Sequence, residues 1–466
     1  MPRAIRSPRK KGGSDKLALL APSDLGWVLP SEDRPRGMQF STLHVLAFVR
    51  AVLEGGAALR SAAVVLEIVV GVWQLPLECP HWTTGRLWLL RLGLYKLTRP
   101  KPRADDWVWL VDHAVQIGVE KCLVILGIRL VDLPPPGTCL RLADMEPIHV
   151  QVMPESNQHL VHLELQVAAE QTGLPVAILD DHGSDLHGGV KRFCQDHPAT
   201  REIYDVTHRG ARLLKKRLES DEAWSGFGTQ VGQAKCQTQQ TELAFLVPPS
   251  QRSKARYMNV EPLVRWGRET LRIVESPTAE VLAHCTPPRL EEKFGWLREF
   301  REDLKRWSEW MAVVGAAEHW VRSQGLQSDS GDRLARHLTE VVQTPTGQEL
   351  AEELVAFVRE QSARVREGEC LPGTTEPLEC ALGKLKSLER GQAKHGFTHL
   401  LAALGALVSR TTAEVVHEAM ELCPTKKVLR WCRDRLGKTL RSKRRAAYAS
   451  VRPKTKNGMK PLPCQG

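Results

Sequence analysis

Carboxylates far apart in this chain stand where carboxylates are costly unless they have work to do. Asp112 lies inside an apolar run, flanked by Leu110, Val111 and Ala114. An ionised side chain there is expensive to desolvate without a partner or a task. Asp180 and Asp181 close the apolar run PVAIL where the chain opens into HGSDLHGG. Ligands of α/β sheets gather at such strand ends, and a turn or helix-capping role suits Asp181 equally well. Glu376 and Glu379 follow Gly373 in TTEPLECALGKLKSLE, where a helical pattern begins. Hard carboxylates with open positions between them are what Mg2+ accepts, because it keeps several waters and takes phosphate oxygens as further ligands.

The elements that would bring these groups together follow from periodicity. WVWLVDHAVQIG and KCLVILGIRL read as two antiparallel strands joined at Gly118, and Ile148 to Val152 as a third. An amphipathic helix spans about Ser156 to Gln171 and stops at Gly173. A fourth strand covers Pro175 to Leu179. A fifth, Glu202 to Val206, leads into a helix starting near His208. Three strands in a meander, then helix and strand in alternation, is the order of a ribonuclease H-like α/β fold. Its mixed sheet is flanked by helices, and its first and fourth strands run side by side and parallel. Asp112 and Asp181 would then be neighbours. Asp205 ends the fifth strand and suits a helix cap, with a supporting place beside the metal ligands as the alternative.

Around this core, 104–230, the composition changes several times. Residues 1–40 read as a flexible basic arm. Residues 41–98 hold three helices with a tight Gly55-Gly56 turn, and the third carries Arg86, Arg91 and Lys96. That pattern fits a helix-turn-helix-like DNA-binding domain. Residues 231–367 read as an all-helical insertion, 368–412 as the last part of the core with a third acidic residue, and 413–466 as a C-terminal helix and basic tail.

With 466 residues the chain has room for two or three cores. Its net charge of +11 and pI near 9.2 point to a polyanionic partner. A mean hydropathy of -0.28 is that of a soluble globular protein, and no apolar run reaches the length a membrane-spanning helix needs. The eleven cysteines, Cys122, Cys194 and Cys380 among them, lack zinc-knuckle spacing and fit free thiols in a reducing compartment. No secretory signal follows the basic N-terminus.

The segments DHAVQIGVEKCLVILGI, AILDDHGSDLHGGVKRF, YDVTHRGARLLKKRL and EPLECALGKLKSLERGQAKHGFTHLLAALGAL resemble those of bacterial insertion-sequence transposases of the DDE class. The resemblance covers most of the chain. It implies Asp112, Asp181 and Glu379 as catalytic, metal-holding residues, with Glu376 as the fallback for the third and Asp180 or Asp185 for the second. It implies two Mg2+ ions, with Mn2+ able to substitute, and metal-dependent cleavage and strand transfer at the ends of a mobile element. The partners would be double-stranded DNA and a second copy of the chain in a synaptic complex, in the cytoplasm at the nucleoid. Lys386, separated from Glu379 by six residues, resembles a lysine that holds DNA phosphate in some of these enzymes, and Lys384 lies beside it. Where those enzymes carry a tyrosine and an arginine upstream, this chain has Pro372 and Thr375. Arg86, Arg91 and His208 are further candidate DNA contacts. Trp296 in FGWLREF is the candidate to stack on a flipped base. A transposase-derived protein that binds DNA without cutting it, or another nuclease of the same fold, shares these features.

Overall fold

The computed structural model describes residues 33–73, 75, 78–117, 120–153, 155–250, 260–390, 398–438 and 440–451. The basic arm over 1–32, the turn at Gly118 and the tail beyond 451 lie outside the described residues.

The β-branched and aromatic runs form a five-stranded mixed sheet in the order β3-β2-β1-β4-β5. The strands are β1 (Trp107–Ile117), β2 (Glu120–Arg129), β3 (Glu146–Met153), β4 (Ala177–Asp180) and β5 (Arg201–Tyr204). The first three form an antiparallel meander, while β4 runs parallel to β1 and β5 parallel to β4. The expected pairing of first and fourth strands is therefore present, with Leu110 opposite Leu179. Continued by two residues, that register sets Asp112 against Asp181, both on one face because strand side chains alternate.

On the other face, Trp109, Val111, Ile125 and Ile178 pack against α4 (Gln158–Thr172) and α5 (Ser184–Asp196), through Val161, Leu165, Val190 and Phe193. Asn157 caps α4 by accepting from the backbone N–H of His159 and Leu160, each at 3.0 Å. Gly173, at φ 88°, ends it.

Before the sheet come α1 (Thr42–Leu53), α2 (Leu59–Val72) and α3 (Trp82–Thr98). The third differs from a solvent-facing recognition helix, since every residue from Trp88 to Leu97 is buried. It packs against the C-terminal segments and passes them so closely that a Cβ on Gly93 would lie 2.2 Å from the Ala402 carbonyl oxygen. Lys96 is fully buried here and donates to the carbonyls of Val408 (2.9 Å) and Ser409 (3.0 Å) and to Thr411 Oγ1 (2.9 Å). Three acceptors satisfy its three donors.

After β5 comes α6 (Val206–Glu219), and then the helices α7 (Glu222–Thr238), α8 (Glu261–Glu275), α9 (Ala279–Leu282), α10 (Pro287–Phe294), α11 (Arg301–Gln324), α12 (Ser330–Leu338) and α13 (Pro345–Ser362), with no strand among the described residues of this stretch. The chain then returns to the sheet with α14 (Glu376–Arg390) and ends in α15 (Leu404–Leu407), α16 (Ala413–Leu422), α17 (Thr425–Leu436) and α18 (Leu440–Ser450). No described helix is long and apolar enough to cross a membrane.

Candidate metal centre

Asp112 sits in β1, Asp181 directly follows β4, and Glu379 lies in the first turn of α14. What sets α14 in place is Asp205, the N-cap of α6. Its Oδ1 accepts from the Thr207 N–H at 2.6 Å. Its Oδ2 accepts from the Thr375 N–H at 3.0 Å and from the Thr375 hydroxyl. One fully buried carboxylate thus ties the start of α6 to the start of α14, so the capping role expected of Asp205 also serves the placement of Glu379. The Val206 N–H donates to the Gly373 carbonyl at 3.1 Å and adds a second tie.

The three carboxylates share one electrostatic environment. Burial first, and then the negative charges of Asp181 and Glu379, push the Asp112 carboxyl up to about 7, against the hydrogen bond its Oδ1 receives from the His113 N–H at 2.6 Å. His208, in the first turn of α6, hydrogen-bonds Glu379 through Nε2 at 3.0 Å. Burial would lower its affinity for a proton, but Glu379, Asp205 and Asp181 together raise it to about 9. Asp205, His208 and Glu379 each offer a ligand atom within 4.8 Å of the others. Carboxylates packed this closely, with a protonated imidazole among them, fit a centre whose charge a divalent cation balances.

The chain matches no protein-family profile and no curated protein. Among solved structures it is similar to the Drosophila P element transposase strand transfer complex, at 13% identity and a TM-score of 0.35, covering 82% of this chain and 94% of that one. A likeness that distant leaves the chemistry to be read from the site itself.

The fallback carboxylates are committed elsewhere. Asp180 is fully buried on the opposite face of the sheet, and burial followed by the charge of Glu202 pushes it up to about 8. Asp185 is ion-paired with Lys121 at 2.7 Å. Against the cost of burial, that bond, one from Ser156 and the attraction of His113 hold it down to about 2. Glu376 pairs with Arg322 at 2.5 Å.

Of the candidate DNA contacts, Lys384 and Lys386 are exposed on α14. Lys386 stands two turns beyond Glu379, on the same face. Arg91 differs from expectation. It is buried, its Nε donates to the Cys423 carbonyl at 2.8 Å and its Nη2 to that of Met420, so its charge joins α3 to α16 and is not presented to phosphate. Arg86 is half-buried, and burial lowers its proton affinity beside Cys432. Trp296 also departs from its expected role. Its ring packs against Phe227 (5.8 Å) and Phe300 (5.8 Å), and its Nε1 donates to the Lys293 carbonyl at 3.0 Å. It is a partly buried ring packed on the core of the helical insertion, with its N–H satisfied.

Two side chains at the site escaped the sequence reading. Glu318 of α11 reaches Gly210 of α6, and burial, then the charges of Asp205 and Glu379, push it up to about 8. Arg212 of α6 is exposed and donates to the His182 carbonyl at 3.1 Å, beside Asp181. A cleft of about 480 Å3 opens from Thr207 and Glu318 and is lined by Arg265, Arg268 and Arg272 together with Glu261 and Glu269. The spacing of those arginines on α8, three and four residues apart, was the available signal.

Proposed function

We propose that this chain is a DDE-type transposase with a ribonuclease H-like catalytic core, cleaving and joining DNA strands with divalent metal ions. The observation that carries the reading is that Asp112 within β1, Asp181 after β4 and Glu379 at the start of α14 lie near enough that burial, with the charges of Asp181 and Glu379 added, raises Asp112 to about 7. The resemblance of the sequence segments that hold them supports it.

In this reading Asp112, Asp181 and Glu379 would together hold two Mg2+ or Mn2+ ions. Such ions lower the pKa of an attacking water or 3'-hydroxyl and stabilise the leaving oxygen. His208 holds Glu379 in position and balances charge before ions bind. Asp205 and Thr375 fix the approach of α14. Lys386, Lys384 and Arg212 contact phosphates around the centre. These contacts supply the salt-dependent, sequence-independent share of the binding. DNA ends are brought together by two copies of the chain.

The test is cleavage of duplex DNA carrying the inverted repeats that flank the coding sequence, with Mg2+ or Mn2+. The wild type should nick or cut at the repeat ends only with metal. Asp112→Asn, Asp181→Asn and Glu379→Gln should each lose activity by at least about 100-fold while still retarding the DNA in a gel, since these ligands act in the chemical step. Equal cleavage by the Asp112 variant removes the triad and with it the enzyme.

A further inference from the structure

On the side of the sheet away from the triad, a second group of metal-ligating side chains surrounds the end of β4. Asp180 shares a face with Ile178, which packs towards α5, while Asp181 shares the face of Leu179. Glu202 of β5 stands opposite Ile178 in the parallel register, on the same side as Asp180. His182 follows in the left-handed region, at φ 54°, which is uncommon for a residue with a side chain. Its ring stacks on Tyr204, centroids 3.9 Å apart, and lies 4.1 Å from the ring of His187 in α5. His187 hydrogen-bonds Glu202 through Nδ1.

The group is unfinished as a set of hydrogen bonds. Asp180 is 0% exposed, and its Oδ2 has no partner, while its Oδ1 accepts only a long 3.3 Å bond from the His182 N–H. His182 Nε2 is also enclosed, at ion-pair distance from Glu202 Oε1 (3.3 Å) and Asp180 Oδ1 (3.5 Å) but without a well-formed hydrogen bond to either. A buried carboxylate oxygen and a buried imidazole nitrogen left this way are costly, and each such group asks for an unseen partner. All four residues offer a ligand atom within 4.8 Å of the others. The His187 side chain, 35% exposed, gives a way in from solvent.

We propose that Asp180, His182, His187 and Glu202 bind a transition-metal ion of the zinc class, at a site separate from the carboxylate triad. Two imidazoles and two carboxylates suit four-coordinate Zn2+, which accepts nitrogen and oxygen ligands alike, whereas Mg2+ prefers an all-oxygen shell. With four protein ligands the position is closed to substrate, so the ion's work is structural. It would clamp the end of β4 to α5 and β5, and so fix the backbone on both sides of Asp181.

The experiment uses the full chain carrying Asp112→Asn and Glu379→Gln, which weakens the triad's own hold on cations. After titration with Zn2+ and dialysis, calorimetry and elemental analysis should find one tightly held Zn2+ per chain with a raised melting temperature, not displaced by millimolar Mg2+. Adding His187→Gln or Glu202→Gln should weaken Zn2+ binding by at least tenfold. Absence of saturable binding, or binding that neither substitution changes, overturns the proposal. Should those variants fail to fold, Co2+ titration of the parent decides. Intense visible bands of a tetrahedral nitrogen–oxygen site support the proposal, and the weak spectrum of hexa-aquo-like cobalt refutes it.

Discussion

Replacing Asp112 by asparagine tests the crowded-carboxylate account without any DNA. The carboxyl rises from 3.8 to about 7 in the folded chain, and each tenfold change in proton affinity is worth about 1.4 kcal/mol. Ionised Asp112 therefore costs the metal-free fold on the order of 4 kcal/mol once the pH is well above 7. Between 3.8 and about 7 the folded chain keeps a proton that the unfolded chain has released, so this contribution to stability falls as pH rises through that window. Asparagine removes the dependence while keeping the shape. Other groups titrate too, buried Lys96 among them, brought down to about 7 by burial. The quantity to measure is thus the difference between variant and wild type. With an unfolding entropy of roughly 2 cal/mol/K per residue, metal-free Asp112→Asn should melt on the order of 4 °C above wild type at about pH 8, and more if the catalytic core melts by itself. The gain should vanish near pH 4. Saturating Mg2+ should raise the wild type by about 2.7 kcal/mol at a hundredfold excess over its dissociation constant and should scarcely move the variant. A metal-free Asp112→Asn chain no more stable than wild type at the higher pH would refute the reasoning, because Asp112 would then not be enclosed among like charges.

Other substitutions probe the supports of the site. Thr375→Val strips Asp205 Oδ2 of its hydroxyl donor and should cost about 1–3 kcal/mol in thermal denaturation, with a larger fall in cleavage rate than in DNA affinity. Lys386→Ala should weaken DNA binding equally for all sequences and flatten the plot of log affinity against log salt by about one charge, measured by fluorescence anisotropy. Glu318→Gln removes a carboxylate held up at about 8. Because that raised value erodes stability between 4.5 and about 8, the variant should melt above wild type only at the alkaline end of a metal-free pH series. Gly93→Ala drives a methyl against the Ala402 carbonyl oxygen, an overpacking worth about 1–3 kcal/mol or more, visible as loss of soluble protein.

The sheet was legible because its strands announce themselves. WVWLV, CLVIL and PVAIL are β-branched and aromatic runs of strand length, and only a short connection separates the first two. The pairing of β1 with β4, and so the meeting of Asp112 with Asp181, followed from element order. Helix α5 was not read, because Gly188 and Gly189 interrupt its pattern and its polar start looks like a loop. In the structure those glycines lie against Gln158 and Val161 of α4, where a Cβ would collide, so packing overrides propensity. Arg91 misled for a related reason. A basic residue on a helix reads as a solvated face, and nothing local reveals that two carbonyls 329 and 332 residues away will take its charge. Glu318 was silent because its neighbours, Asp205 and Glu379, come from other parts of the chain. The pair His182 and His187 stood in plain view in DHGSDLHGG. What joins them to Glu202 is the register of β4 with β5, which only the assembled sheet supplies.

The burial of α3 among segments more than 300 residues downstream bears on how the protein comes into being. On the ribosome, residues 82–98 emerge long before 398–436, and until those arrive Leu89, Leu92 and Leu94 have no finished surface to lie against. The entropy of closing so long a loop grows only slowly with its length, but the wait exposes apolar helix to aggregation. Until then the N-terminal helices lack part of the surface they pack on in the folded chain. Overproduction at reduced temperature, or with chaperones that shield apolar helices, should raise the yield of folded chain, and removing α16 and α17 should cost the N-terminal helices their protease resistance.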